Sequence, residues 1–262
     1  MEMIHKVVLF GLVVFGLGAV DAWACSCKAP GTVQEQFANA PLVVKARFVR
    51  SEEIETKPAS DRPVWGPTSK AILQVEESFK GRLKMGELIA VGQGNGGDCG
   101  MMFAAEATGE SFLLYLGDSK DSPLGLFGAS ICGRGGNLKR SLVDLRYLER
   151  EEGLRGRTMI SGVVHEPNDD GAANVVVVIT GGGKTIRLKT DASGYYEALD
   201  LPPGEYRVSV RLAGKRAVSN VFIAPAKDSS FGTYVQPVSS GASVTVAPER
   251  IAQVDFHLNN VP

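Results

Sequence analysis

Four cysteines, Cys25, Cys27, Cys99 and Cys132, follow an apolar leader, and none lies beyond the region just past the chain's midpoint. That arrangement constrains the fold more than any other feature of the sequence. Met1 to Lys6 carries a basic residue, and Val7 to Val20 is an apolar run. Ala22-Trp23-Ala24 then ends the segment in the small-x-small pattern that signal peptidases cut. The run is shorter than the ~20 residues a spanning helix needs. Residues 1–24 therefore read as a removed export signal, with no membrane span after its removal. Cleavage after Ala24 makes Cys25 the first residue, with a free α-amino group. Lipidation of Cys25 is the rival at this junction, but a lipoprotein signal wants Leu in place of Ala22 and a small residue in place of Trp23. The expected destination is secreted, extracellular or periplasmic.

Charge narrows the function classes. Of 28 basic and 29 acidic residues, Lys6, Glu2 and Asp21 leave with the signal, so the mature chain is formally neutral. No basic block with interleaved aromatics marks a nucleic-acid binder. Residues 25–262 are enough for two domains of ordinary size. An even number of cysteines in an exported chain points to two disulfides, and spacing alone leaves three pairings open. Zinc is the alternative, although CxC is not CxxC and the mature chain's only histidines, His165 and His257, lie far along the sequence.

In chain order, Thr32 to Asn39 suits one or two helical turns. Pro41 to Arg50 reads as a half-buried strand, with Val44, Ala46 and Phe48 alternating against Lys45 and Arg47. Glu52 to Ser69 is a long proline-rich loop. Lys70 to Gly81, Glu87 to Val91, Glu110 to Gly117 and Leu124 to Cys132 supply four more strands, and Gly92 to Gly100 is a glycine-rich loop holding Cys99. Ser141 to Arg150 reads as a helix with Leu142, Leu145 and Leu148 on one face, a Ser141 N-cap and Asp144 at the capping-box position. Five strands, flanking helices and an N-terminus tied inward describe a small barrel of the oligonucleotide/oligosaccharide-binding (OB) type.

A resemblance attaches to these residues. Cys25-Ser26-Cys27, followed by Lys28-Ala29-Pro30, Phe37 and Leu42 to Phe48, resembles the N-terminal domain of the tissue inhibitors of metalloproteinases and the netrin-like modules. The resemblance covers roughly Cys25 to Leu154. It implies that Cys25 pairs with Cys99 and Cys27 with Cys132, each bridge contributing roughly 2–4 kcal/mol by restricting the unfolded chain. It further implies that the Cys25 amine and carbonyl chelate the zinc of a target metallopeptidase while the Ser26 side chain enters the specificity pocket. A catalytic zinc keeps an open position for such a donor. On that reading Cys25, Ser26 and Cys27 are protein-binding residues. The sequence departs from the family in lacking a cysteine near Ala38 and any cysteine after Cys132. The other reading is that CxC only staples the N-terminus to the barrel.

Beyond a charged linker, Glu151 to Arg157, short strands and turns recur every eight to twelve residues, the texture of a β-sandwich. Ile160-x-Gly162, Thr190-Asp191-x-x-Gly194-Tyr195-Tyr196 and Leu201 to Val208 resemble the carboxypeptidase regulatory-like, transthyretin-type sandwich. That resemblance speaks to fold far more than to function. Ser243 to Val246 and Gln253 to Leu258 serve as closing strands. Tyr195, Tyr196 and Tyr206 read either as core and turn residues or as a carbohydrate-stacking platform. The fold class is thus all-β in two domains: an OB-fold-like five-stranded barrel with flanking helices over 25–154, and an immunoglobulin/transthyretin-like sandwich over 157–262.

No phosphate-binding loop, nucleophile elbow or metallopeptidase helix is present, and two distant histidines do not assemble a catalytic centre. The expectation is a non-enzymatic binding protein without cofactor or metal of its own. One candidate is a metallopeptidase inhibitor acting through Cys25. The alternative is a structural or adhesive envelope module that binds a surface glycan or protein, with its disulfides purely structural.

Overall fold

The structure, a computed structural model, describes residues 27, 30–54, 67–94, 99–212, 216–224, 233–236 and 240–260. It begins with helix α1, Val33–Asn39, closed at its start by a capping box in which Thr32 and Glu35 bond each other's backbone. Strands β1 (Leu42–Glu53), β2 (Ser69–Lys80), β3 (Leu88–Gln93), β4 (Ser111–Leu116) and β5 (Phe127–Gly128) follow.

Their pairing forms a circuit. β1 pairs antiparallel with β2, β2 antiparallel with β3, β3 parallel with β5, and β4 antiparallel with β1. A bridge from Gly117 to Gly128 brings β5 back to the end of β4. This is the closed strand order of an OB-type barrel. Register shifts along β1 and β2 supply the bends that closure demands. Val44, Ala46 and Phe48 fill the interior as their alternation predicts, with Leu73, Val75, Val91 and Leu114.

Three expectations need correction here. The strand expected over Leu124–Cys132 shrinks to Phe127–Gly128, because the chain then turns to carry Ile131 and Cys132 beside Cys99. A sixth strand, β6 (Gly135–Asn137), pairs with β4 and carries too few side chains to show in a pattern. The helix expected over 141–150 is α2, Leu142–Leu148. It buries Val143, Asp144, Tyr147 and Leu148 rather than the Leu142–Leu145–Leu148 stripe, and the Ser141 side chain makes no cap bond. Asp144 leaves its capping-box role because a buried arginine claims it. The long loop read over Glu52–Ser69 lies mostly outside the described residues. Within the expected linker, Glu151–Leu154 forms a helical turn, α3, with Leu154 buried.

The second half is a sandwich. One sheet runs in the order β10 (Tyr195–Leu199), β7 (Met159–His165), β15 (Ile251–Asn260), β12 (Arg216–Ala224), β13 (Thr233–Val235). The other runs β14 (Gly241–Val246), β11 (Gly204–Arg211), β8 (Val176–Gly181), β9 (Lys184–Lys189). Ile160, Val164, Val177, Ile179, Val208, Val254 and Phe256 make the shared core.

Gly162 explains part of the sequence motif. A Cβ there would stand 2.0 Å from the Val254 carbonyl oxygen and 2.9 Å from the Tyr196 hydroxyl, which itself donates to that carbonyl at 2.5 Å. Because backbone blocks the space, Gly162→Ala should destabilise the protein by about 2 kcal/mol or more. Gly153→Ala, in open space at a helical position, should be neutral or slightly stabilising. Urea unfolding of the two variants checks the contrast.

Candidate functional site

The cysteines converge. Cys27 is bonded to Cys132 across a sequence separation of 105 residues, with Cα atoms 5.0 Å apart. Cys99 is also disulfide-bonded, and its sulfur lies within 4.8 Å of those of Cys27 and Cys132. None of the three therefore offers a thiolate to zinc. Cys25, the partner that the resemblance implies for Cys99, and Ser26 lie outside the described residues. The loop between the bridges is tied by Ser130, whose hydroxyl donates to the Cys99 carbonyl and accepts from the Cys132 amide.

Beside this cluster, a cleft of about 460 Å³ opens between barrel and sandwich. Its floor is a buried polar network centred on Arg134. The guanidinium grips both carboxylate oxygens of Asp144, one of them from Nε at 2.7 Å. It also donates to the Gly31 carbonyl at 2.9 Å and to the Gln253 side-chain oxygen. Asp144 accepts a further bond from the Tyr115 hydroxyl at 2.7 Å. Gln253 donates on to Asp255 at 2.6 Å, whose other oxygen accepts the Val163 amide at 2.9 Å.

Sheet geometry explains the convergence. On β15, Ala252, Val254, Phe256 and Leu258 point into the sandwich core, so Gln253, Asp255 and His257 point outward by strand alternation. Outward here does not mean solvated, because the barrel's helices and β6 region cover this face. Apolar contacts seal the same seam. Val33, Val43, Leu113, Tyr147 and Leu148 meet Met159 and Ile251, while Val143 meets Val163 and Tyr195. Exposed ion pairs Lys139–Asp170, Arg140–Asp169 and Arg150–Glu197 ring it. Asp169 and Asp170, adjacent in the chain, supply the counter-charges for two of these pairs.

The electrostatics follow from burial. For Arg134 the desolvation that opposes charge is outweighed by Asp144, which holds the guanidinium ionised. Burial pushes the Asp255 carboxyl up to about 6 against the pull of Val163, Gln253 and Arg134. His165 and His257 stack with ring centroids 4.7 Å apart. Desolvation lowers both, and their mutual proximity lowers His257 further. The cleft's rim is different in kind: Ile131 and Tyr234 are 57% and 63% exposed, and Tyr234 leans on Phe222 at 5.1 Å.

Tyr195, Tyr196 and Tyr206 are all buried. The platform reading of these three is overturned, because Tyr196 bonds the Val254 carbonyl and Tyr206 the Pro202 carbonyl. Arg134, Asp144, Gln253, Asp255 and Tyr234 were not singled out as a site from the sequence. The available signal was the polar alternation Gln253-x-Asp255-x-His257 in a strand otherwise fit for a core.

Removing one member of a buried ion pair strands the other charge. Arg134→Met should lower stability by about 3–5 kcal/mol, and Arg134→Met with Asp144→Asn should cost less than the sum of the single changes, as a double-mutant cycle in urea will read. A second expectation concerns pH. The Asp255 contribution is complete below about pH 4 and is lost as pH rises through about 6. The histidine contribution runs oppositely: with folded values below 6.5, it is present above 6.5 and lost on acidification. The stability of the native protein relative to His257→Gln should therefore fall between pH 7 and pH 5.

Residues 159–259 match the family described as "Carboxypeptidase regulatory-like domain". No curated protein matches the chain. Among solved structures, the minor pilin GBS52 of Streptococcus agalactiae is similar at 10% identity, with 85% of this chain and 84% of that chain covered and a TM-score of 0.28. A C-terminal fragment of the pilus adhesin SpaC from Lactobacillus rhamnosus GG gives 9% identity, 87% and 92% coverage and a TM-score of 0.28. Similarity at that level carries no argument about this chain; the family match is to its second half.

Proposed function

We propose that the protein is an exported, non-enzymatic binding module, structural or adhesive in role, whose barrel and sandwich act as one rigid body. Its partner is a protein or surface glycan, engaged at the rim of the cleft beside the disulfide cluster. The observation that carries this reading is the contrast between rim and floor. In the floor, Arg134, Asp144, Gln253 and Asp255 bond one another and the backbone, the arrangement of a fastening. On the rim, Ile131 and Tyr234 present large exposed side chains over a braced loop, the usual composition of a binding anchor. The disulfides support export, since such bonds persist in oxidising compartments.

A second reading, inhibition of a zinc metallopeptidase by the Cys25 amine and carbonyl with Ser26 in the pocket, is supported by the barrel's strand circuit and the Cys27–Cys132 tie. One experiment separates the two. The mature protein, a form with one alanine added before Cys25, and the pair Ile131→Asp with Tyr234→Ala are assayed on protein and glycan arrays and against zinc endopeptidases. The rim reading expects array binding that the extension leaves unchanged and the rim variant weakens at least about tenfold, equivalent to about 1.4 kcal/mol. Inhibition by the mature protein that disappears on adding the alanine would replace it with the second reading.

A further inference from the structure

The outward face of the four-stranded sheet collects charge that no single stretch of sequence displays. Val177 and Ile179 of β8 point into the core, so their neighbours Val176, Val178 and Thr180 point away from it. The register places Lys189 of β9 and Arg211 of β11 on either side of Val176, and Arg187 and Ser209 on either side of Val178. Three cations thus share one face, with the backbones of Lys189 and Arg211 about 10 Å apart across one intervening strand. Arg187, Lys189 and Arg211 are exposed and form no ion pair among the described residues. Most arginines elsewhere behave differently: Arg47, Arg50, Arg140, Arg150, Arg155 and Arg157 are each paired with a carboxylate. Among the described residues of this face Glu205 is the only acid that the register supplies, and it sits on the same strand as a fourth cation, Arg207.

We propose that this face binds an acidic polysaccharide, the three cations reading its carboxylates or sulfates and the surrounding hydroxyls its sugar oxygens. The inference rests on the reading of the protein as an exported binder and names a ligand class for a surface remote from the cleft rim. The hydroxyls come from Thr180, Thr185, Ser209, Ser243 and Thr245, each able to donate and accept. Among the described residues no aromatic side chain lies on the face, which removes the stacking that single-stranded nucleic acids use. Among them it also lacks the large apolar residues that would enter a lipid surface. A flat, pleated, hydroxyl-bearing cationic sheet fits an extended polymer with charge repeated along its length.

The test uses the full disulfide-bonded protein on immobilised heparin, polygalacturonate, dextran and duplex DNA at several salt concentrations. The expected result is binding to the two acidic polysaccharides and not to neutral dextran. Affinity should fall steeply with salt, as release of counterions from a polyanion requires. Arg187→Gln, Lys189→Gln and Arg211→Gln together should weaken that binding at least about tenfold with an unchanged unfolding midpoint. Arg82→Gln, Lys84→Gln and Lys120→Gln, exposed cations elsewhere, should leave it within about twofold. Wild-type affinity in the face variant would overturn the proposal. So would acidic polysaccharides binding no better than dextran, and tighter binding to DNA than to either polysaccharide would reassign the face to nucleic acid. Absence of polysaccharide binding by the unaltered protein, with rim binding intact, would sink this inference while leaving the cleft reading in place.

Discussion

Arg134, held ionised by Asp144 within the barrel, reaches across to Gln253 of the sandwich, and through that bond the two halves become one body. A guanidinium in a buried seam is tolerable only when its donors are matched, since an uncompensated buried charge costs several kcal/mol. Here the matching groups come from four parts of the chain: Asp144 on α2, the Gly31 carbonyl ahead of α1, Gln253 on β15, and Tyr115 of β4 through Asp144. Such a network gives directionality to an interface that apolar contacts would otherwise leave free to slide. Sheet hydrogen bonds hold each half together; the arginine sets how the halves meet.

The disulfides act at the same place for a different reason. Cys27–Cys132 closes a loop spanning nearly all of the barrel, so it restricts the unfolded chain strongly, by about 5 kcal/mol in the chain-entropy account. Its position one residue from Gly133 and two from Arg134 means that the bridge also fixes the loop that delivers the guanidinium. Covalent and electrostatic restraints thus converge on residues 130–134.

Much of the architecture was legible because alternation reports one buried face. Val44, Ala46 and Phe48 lie in the barrel interior, and Gln253 to Leu258 lies in a strand, as the pattern predicts. The failures share a cause. Alternation cannot say whether the polar side of a strand faces water or another domain, so nothing in the closing-strand pattern of Gln253 to Leu258 marks Gln253 and Asp255 as seam residues. Asp144 read as a cap because local spacing allowed it, and only the distant Arg134 revealed the competing use. β6 was invisible because Gly135 and Gly136 carry no side chains to pattern. The cationic sheet face escaped notice for a related reason: Arg187, Lys189 and Arg211 become neighbours only when the strand register is known.

β15 lies between β7 and β12, parallel to the first and antiparallel to the second. It also carries Gln253, 119 residues beyond Arg134. A chain emerging from its N-terminus can therefore pair every barrel strand while the middle of one sandwich sheet is still missing. Until residues 251–260 arrive, one backbone edge of β7 is unpaired and Arg134 lacks its bond to Gln253, and contacts of such long sequence separation form late. Assembly of this protein is then a matter of timing: the last of the described strands is the one that locks both the sheet and the seam.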